Sequence, residues 1–335
     1  MRIFFVLLFL ILVLISVLPA QADGPAMQNV MKVAFSEDGT ALAVAGTGKG
    51  ERFKNPGRVE LWSVKTQKLI CSLQASGKMT SAAFRHDGKV IITGSEDKTV
   101  TLWSVPAGKK LISLGGARTQ VWDVAFSPDG RKVAAACGWN DGQVLVWDAG
   151  KGTSLFSISD RTDGFYSVRF SPDGKMLAAG DRKGRVTLVD ASSGKKIREW
   201  KDLPGWATTL CFSSKGNLLA AGGNNEIHLY DTAGGALQKS FKIDWTCTSL
   251  DFFPGDGKLL VGQWNSGVAP SNGDVAVFDV SSGNKVSTMG KSDGRVCSDL
   301  SPDGKMVAAG YENKAFSAKL LDVSTGKVLY TLGGR

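Results

Sequence analysis

The segment VWDVAFSPDGRKVAAACG (residues 121–138), followed by VLVWD (144–148), contains the pattern that decides the fold. A hydrophobic stretch ends in Phe126, a Ser-Pro-Asp-Gly turn follows, an alanine-rich stretch ends in Gly138, and a third stretch ends in Trp147 and Asp148. Ser-Pro-Asp-Gly is a tight-turn sequence, because Pro fixes φ, Asp bonds to the nearby backbone and Gly accepts a positive φ. The segment therefore predicts short antiparallel β-strands joined by tight turns.

The same unit recurs along the chain. Its turn ends at Gly39, Gly88, Gly130, Gly174, Gly216, Gly257 and Gly304, and each third stretch is followed by a fourth, such as KLICSL (68–73). No segment shows the 3.6-residue period of a helix, which excludes a helical solenoid. One unit is too short to bury its own core, whereas stacking the units around an axis buries them all. We predict an all-β, seven-bladed β-propeller of four-stranded antiparallel blades, at residues 27–75, 76–116, 117–160, 161–202, 203–243, 244–290 and 291–335.

These repeats resemble those of the WD-repeat (β-transducin-like) family. The best matches are SEDKTVTLWSV (95–105), the segment quoted first, and SVRFSPDGKMLAAG (167–180). The resemblance implies a seven-bladed propeller that serves protein interaction, in a divergent member of bacterial, exported type. The Gly-His dipeptide that usually opens the family's repeat is missing, since the two histidines are His86 and His228. The family's buried His–Asp–Trp hydrogen-bond network is therefore not expected.

Ring closure is predicted to depart from the family pattern, in which the N-terminal segment supplies the outermost strand of the last blade. Here the first inner strand (30–35) begins close to the N-terminal segment, and the C-terminus already holds a fourth strand (327–332). We expect blade seven to be completed by its own strand and closed against blade one by packing. Strand pairing between residues 23–29 and blade seven would contradict this.

Residues 1–22, MRIFFVLLFLILVLISVLPAQA, have the layout of a secretory signal peptide. Arg2 supplies the positive start, and the apolar run from Ile3 to Leu18 is shorter than the roughly 20 residues that a membrane-spanning helix needs. We expect cleavage before Asp23, and a mature chain (23–335) that is periplasmic or secreted, monomeric and without a membrane span. The alternative is an uncleaved N-terminal anchor.

Composition and charge exclude several classes of protein. With 43% hydrophobic and 21% charged residues, the chain has a globular composition rather than a disordered one. The formal net charge of +9 is not arranged as a basic stripe with interleaved base-stacking residues, so nucleic-acid binding is not predicted. Five cysteines show no repeated framework: Cys71, Cys137, Cys211, Cys247 and Cys297. We expect buried thiols, with Cys247 to Cys297 as the one candidate disulfide.

Aromatic residues concentrate at one side of the predicted propeller, which we call the top face. It carries the loops between second and third strands and the connections between blades. Trp122, Phe165, Tyr166, Trp206 and Trp245 begin inner strands, and Trp139 with Asn140 and Trp264 with Asn265 lie in top loops. Such aromatic groups anchor protein interfaces and also stack on sugars. We expect a site for a protein or peptide here; the alternatives are a lectin-like site for a cell-surface glycan, or indoles that merely pack between blades.

Catalytic motifs are missing from the sequence. It contains no Gly-x-Ser-x-Gly elbow, no His pair at metal-ligand spacing and no phosphate-binding loop, so no cofactor, metal or catalytic residue is predicted. Acids that recur at the ends of third strands predict a structural role in turns: Asp148, Asp190, Asp231, Asp279 and Asp322. Asp123, Asp251 and Asp299 on inner strands leave one less favoured alternative, a lactonase-like or quinone-dependent propeller enzyme with carboxylates converging in the channel. We predict an exported, non-catalytic scaffold.

Overall fold

The computed structural model describes residues 27, 29–48, 56–139, 141–160, 163–265, 271–312 and 318–333. These residues form 27 β-strands and no helix. The first sheet contains β1 (Asn29–Phe35), β2 (Ala41–Thr47), β3 (Gly57–Ser63) and β4 (Leu69–Ala75). The second contains β5 (Met79–Phe84), β6 (Val90–Ser95), β7 (Val100–Ser104) and β8 (Lys110–Leu114). The third contains β9 (Val121–Phe126), β10 (Lys132–Cys137), β11 (Gly142–Asp148) and β12 (Ser154–Asp160).

The remaining strands form three further antiparallel sheets. The fourth contains β13 (Phe165–Phe170), β14 (Met176–Asp181), β15 (Val186–Asp190) and β16 (Lys196–Trp200). The fifth has seven strands: β17 (Thr209–Phe212), β18 (Leu218–Gly222), β19 (Asn224–Asp231), β20 (Leu237–Phe252), β21 (Lys258–Trp264), β22 (Gly273–Asp279) and β23 (Lys285–Ser292). The last contains β24 (Val296–Leu300), β25 (Met306–Tyr311), β26 (Ala318–Asp322) and β27 (Val328–Leu332). This architecture confirms the all-β, propeller-type prediction.

The long strand β20 serves two neighbours. Its first part pairs with β19, for example Phe241 with Ile227, and its second part pairs with β21, for example Leu250 with Val261. The two parts of the fifth sheet also pack face to face, because Leu229 and Leu259 lie in one buried cluster. The sheet is therefore continuous in hydrogen bonding and folded back on itself in packing.

Hydrophobic clusters fill the spaces between successive sheets. The second strands are Ala/Val-rich and buried, along the whole length of β2 and along all of β25 except Met306, because a sheet covers each of their faces. Trp147 of β11 is 1% exposed and packs in the cluster between the second and third sheets. Burial of this kind in every gap stabilises the arrangement as a stack.

The inner strands close a ring. β1 contacts β5 on one side and β24 on the other, so the first and last sheets are neighbours. Met27 and Val30 are buried with Ala308 in the cluster between these two sheets. The last sheet is completed by its own strand β27, as predicted. One antiparallel bridge joins Asn29 to Glu312, however, so a residue of the 23–29 segment pairs with the last blade, which contradicts the prediction of closure mainly by packing at this one position.

The turns between first and second strands confirm the role predicted for Ser-Pro-Asp-Gly. Gly174 has φ of 69°, and its N–H donates to the Ser171 carbonyl at 2.8 Å. The Ser171 hydroxyl donates to Asp173 Oδ1 at 2.6 Å, and that oxygen also accepts the Lys175 N–H at 3.0 Å. These hydrogen bonds from Ser171 and Lys175 hold the pKa of Asp173 below its usual value. We call this set of turns, at residues 36–39, 85–88, 127–130, 171–174, 213–216 and 301–304, the bottom turns.

All five cysteines are free thiols, so the candidate bridge between Cys247 and Cys297 is wrong. The two side chains occupy different gaps between sheets. A Cβ at Gly222 of β18 would lie 2.5 Å from Cys247 Sγ, whereas Cys297 Sγ lies 3.9 Å from the Val30 carbonyl of β1. Burial raises the pKa of the Cys137 thiol to about 12 and that of Cys297 above its usual value. In the part of the chain that the structure describes, no helix is long and apolar enough to cross a membrane.

Candidate binding site

Four aromatic side chains from three regions of the chain meet at the top face, and we call them the aromatic cluster: Trp122, Trp139, Tyr166 and Trp206. The Trp122 ring centroid lies 5.8 Å from that of Trp139 and 5.6 Å from that of Tyr166. Tyr166 stacks on Trp206 with centroids 5.6 Å apart. Such contacts between aromatic rings are each worth about 0.5–1.5 kcal/mol beyond the burial of area. The cluster is therefore a preorganised surface rather than four independent side chains.

Strand ends and short loops place these rings. Trp122 and Tyr166 are the second residues of β9 and β13, Trp139 follows β10, and Trp206 lies between β16 and β17. The Trp122 indole N–H donates to the Gly138 carbonyl at 2.6 Å, which fixes its ring against the base of the Trp139 loop. Trp139 and Trp206 remain 43% and 40% exposed. Large apolar groups with this exposure are the accessible part of the cluster.

A cation completes the cluster. Arg182, which follows β14, places its guanidinium carbon 4.7 Å from the Trp139 ring centroid and 5.7 Å from that of Trp206. Cation–π contacts of this kind contribute about 0.5–1 kcal/mol at exposed sites. Sequence reasoning missed Arg182. Its only signal was a place in the basic run Asp-Arg-Lys-Gly-Arg (181–185), and nothing in that run shows that two indoles from other regions enclose it.

The cluster forms one wall of a cavity of about 360 Å³ at the top face. Trp264 lies on another part of the wall, where its indole N–H donates to Ser271 Oγ at 2.7 Å. The remaining wall is polar, and the ion pair between Lys78 and Glu96 (3.4 Å) lies at its edge. A cavity of this size and mixed lining accommodates a few side chains of a ligand.

The structure separates the residues predicted for this site. Five of them line the cavity: Trp122, Trp139, Tyr166, Trp206 and Trp264. Phe165 does not: it is 4% exposed and packs in the cluster between the third and fourth sheets, because neighbouring strand residues point to opposite faces. Trp245 is half-buried and is not part of the cavity wall.

Of the two asparagines predicted beside the loop tryptophans, Asn265 is not among the described residues that line the cavity. Asn265 uses its backbone, because its N–H donates to the Asn272 carbonyl at 2.8 Å and its carbonyl accepts from Ser271 Oγ at 3.3 Å. Asn140 lies outside the described residues.

A charged pair, Asp123 and Arg169, lines the part of this cavity that lies in the central channel. Arg169 Nη1 is 2.5 Å from Asp123 Oδ2, and Asp123 also accepts hydrogen bonds from Ser81 Oγ (2.9 Å) and the Val168 N–H (3.1 Å). Three sheets thus meet at the Asp123 carboxylate. Its buried oxygens have three donors, which is the arrangement expected of an acid that holds a structure together.

Asp251 and Asp299 lie lower in the same channel. They line a cavity of about 300 Å³ that opens between the bottom turns, and Lys32 and Arg169 border both this cavity and the upper one. Asp299 Oδ2 accepts the Phe35 N–H at 2.7 Å, across the junction of the first and last sheets. Burial raises the pKa of Asp251, and burial together with the Asp251 carboxylate raises the pKa of Asp299.

Other candidate groups have structural partners. His228 is buried, with Nδ1 3.1 Å from the Tyr230 hydroxyl and Nε2 3.1 Å from Glu226 Oε2, and the Tyr230 hydroxyl donates to Asp202 at 2.7 Å. These contacts occupy both ring nitrogens of His228. Asp190 accepts the backbone N–H groups of Ser192 and Ser193 in a turn, as predicted for the acids that end third strands. Among the described residues, no group of three His, Cys, Asp or Glu side chains is placed to hold a metal ion.

Comparisons with known proteins support this architecture. The model of the WD domain, G-beta repeat (WD40), matches residues 67–104, 108–148, 152–190 and 194–231. These matches support a WD-repeat family for the chain. The Periodic tryptophan protein 2 homolog of Schizosaccharomyces pombe is 29% identical over 185 residues, which are 55% of this chain and 19% of the relative. Human Coronin-7 is 30% identical over 129 residues, 36% of this chain and 13% of the relative. The zebrafish (Danio rerio) Dynein assembly factor with WD repeat domains 1 is 42% identical over 57 residues, 17% of this chain and 14% of the relative. This chain spans less than a quarter of the length of these relatives.

Proposed function

We propose that this protein is an exported, seven-bladed WD-repeat propeller that binds a protein or peptide through the aromatic cluster and acts as a non-catalytic scaffold. WD-repeat proteins generally mediate protein interactions, and the four repeat matches support that class of function. The observation that carries the proposal is the joining of four aromatic rings on the wall of a top-face cavity, with the Arg182 guanidinium held against two of them. Aromatic and Arg side chains dominate the energetic centres of protein interfaces.

Seven blades are supported by the pattern of contacts. Among the described residues, five sheets have four strands each and one sheet, β17 to β23, has seven. Within it, the first part of β20 pairs with β19 and the second part pairs with β21. Counting β20 as two strands gives two further four-stranded blades, with a buried cluster between them. The inner strands then follow one another in a closed cycle in which β1 contacts β24.

A non-catalytic role is supported by the charges in the channel. The alternative of a propeller enzyme required carboxylates converging there, and Asp251 and Asp299 do converge. They face the cations Lys32 and Arg169, however, and Asp299 is engaged by a backbone N–H. We therefore assign these acids to holding the ring together rather than to catalysis.

Export is proposed from the charged start, apolar run and Ala-x-Ala ending of residues 1–22. These residues lie outside the described part of the chain. Because the segment would be removed, the chain recovered from the envelope or the culture supernatant is expected to begin at Asp23, which N-terminal sequencing measures.

The proposal is tested by capture from envelope and culture-supernatant extracts with the mature protein (23–335). The Trp139→Ala, Trp206→Ala double variant removes the two exposed rings, and we expect it to lose a specific protein that the wild type retains. The matched control is Leu155→Ala with Ile197→Ala, since these apolar side chains on the outer strands are 46% and 47% exposed but distant in the fold from the cluster. Equal capture by wild type and double variant would contradict the proposal.

A glycan is the second candidate ligand, because exposed indole faces such as those of Trp139 and Trp206 also stack on sugars. Soluble oligosaccharides prepared from the cell surface distinguish the two. A peptide-binding site is indifferent to them, whereas a lectin-like site releases its captured partner when they are added.

A further inference from the structure

Arg182 differs from the other cations at its edge of the top face in having no acidic partner. Asp141 pairs with Arg118 at 2.8 Å, Asp163 with Lys183 at 2.7 Å, and Asp181 with Arg185 at 2.5 Å. Within the described ranges, no carboxylate lies within ion-pair distance of Arg182. Three acids thus neutralise three cations, and among the described residues the positive charge of Arg182 is not compensated by an ion pair.

The position of Arg182 leaves its hydrogen-bond donors available. Its guanidinium lies against the rings of Trp139 and Trp206, and contact with a ring face occupies the plane of the group but not the N–H edges that bind carboxylates. The stacking also removes much of the rotational freedom that an exposed Arg would lose on binding. A guanidinium held in this way is prepared for a bidentate contact with a carboxylate.

The surroundings supply the second half of a recognition site. Tyr166 and Trp122 form an apolar wall beside Arg182, and the Tyr166 hydroxyl is buried without a hydrogen-bond partner among the described residues. An unpaired buried hydroxyl is unfavourable, and a polar ligand group entering the cluster would supply its missing hydrogen bond. The aromatic cluster therefore offers an unsatisfied hydroxyl and aromatic faces, and the Arg182 guanidinium against Trp139 and Trp206 offers an anion contact.

We propose that the aromatic cluster recognises an acidic peptide segment of the partner, with an Asp or Glu carboxylate on Arg182 and a neighbouring aromatic or aliphatic side chain against Trp122 and Tyr166. This inference rests on the proposed function and specifies the chemistry of its partner. Arg182 sets specificity for negative charge, and the rings provide the apolar contact.

Selection from a phage-displayed random heptapeptide library tests this directly. The wild-type mature protein is expected to enrich Asp and Glu, next to an aromatic or aliphatic residue, several-fold over the unselected library. Arg182→Gln should remove the enrichment of acids but retain that of apolar residues. Arg118→Gln is the matched control, because Arg118 lies on the same face but is already paired with Asp141, and it should select the same peptides as the wild type.

A titration of one selected peptide against its Asn/Gln counterpart gives the magnitude. Loss of a charge-assisted bidentate contact should weaken binding to the wild type about tenfold or more, and Arg182→Gln should bind both peptides alike. Enrichment of acids that persists in Arg182→Gln would overturn the inference, as would the selection of neutral or basic peptides by the wild type. If partner capture depends on Trp139 and Trp206 but not on Arg182, the docking site stands and only the acidic specificity fails. If no peptide is selected and capture is insensitive to all three residues, both proposals fail.

Discussion

Three inner strands carry threonine at a position where two others carry an aromatic residue, and the two choices behave differently. Thr80 donates its hydroxyl to the Val121 carbonyl of the next sheet at 2.6 Å, and Thr208 does the same to the Cys247 carbonyl at 2.7 Å. Trp122 and Tyr166 replace this threonine in β9 and β13, where the hydrogen bond to the next blade is lost and a ring enters the cavity instead.

Trp122 and Tyr166 mark the place where the molecule departs from its own repeat. A threonine hydroxyl joins one inner strand to the next at three junctions, through Thr80, Thr208 and Thr248. Two adjacent blades have exchanged that contact for indole and phenol rings, which leave the Tyr166 hydroxyl unsatisfied. A local loss of this kind is expected at functional sites rather than in a purely structural repeat.

The largest difference in stability is expected between variants of two tryptophans in the same blade. Trp147 is 1% exposed and packs between the second and third sheets, whereas Trp139 is 43% exposed. Trp147→Ala should lower the free energy of unfolding by about 3–5 kcal/mol, the usual cost of emptying a large buried site. Trp139→Ala should lower it by less than about 1 kcal/mol. Urea denaturation measures both, and equal losses would show that Trp139 is part of the core.

A second pair of substitutions exchanges the two choices at the inner-strand position. Thr80→Val keeps the shape of the side chain but leaves a buried carbonyl without its donor, so the free energy of unfolding should fall by about 1–3 kcal/mol. Tyr166→Thr restores the hydroxyl at the junction and loses ring contacts, so its stability should stay within about 1 kcal/mol of the wild type while partner binding is lost. A Thr80→Val variant as stable as the wild type would contradict the structural role of the threonine. A Tyr166→Thr variant that still binds the partner would contradict the binding role of the tyrosine.

The effect on stability of replacing Asp299 depends on pH, and its direction follows from the raised pKa of the carboxyl. A carboxyl that holds its proton more tightly in the folded state stabilises the fold at low pH, and this contribution is lost as the pH rises above the ordinary carboxyl pKa of about 4. Asp299→Asn keeps an acceptor for the Phe35 N–H and removes the ionisation. The variant should match the wild type near pH 4 and exceed its stability increasingly as the pH rises toward 8, because only the wild type then has to ionise a buried carboxyl. Thermal unfolding across this pH range checks it, and a variant less stable than the wild type at pH 8 would assign Asp299 a required negative charge beside Lys32 and Arg169.

The fold was predictable because the turn is local. Pro, Asp and Gly act within four residues, and the Ser171–Asp173 turn forms as its sequence indicates. The site was predictable in part, since inner-strand starts and top loops converge in any propeller. Position along the chain predicts that Phe165 lies in the site beside Tyr166. Neighbouring residues of a strand point to opposite faces, however, so Phe165 lies in the core and Tyr166 lines the cavity. Arg182 could not be found, because its role depends on two rings from separate parts of the chain.

The most direct measurement compares the affinity of the purified partner for two variants. We predict that Trp139→Ala with Trp206→Ala weakens binding about 30-fold or more, as expected when about 2 kcal/mol of interface energy is lost, while the unfolding temperature falls less than in Trp147→Ala. Thr80→Val should unfold at a lower temperature and bind with the wild-type affinity. Wild-type affinity in the tryptophan double variant would contradict the assignment of the aromatic cluster as the binding site.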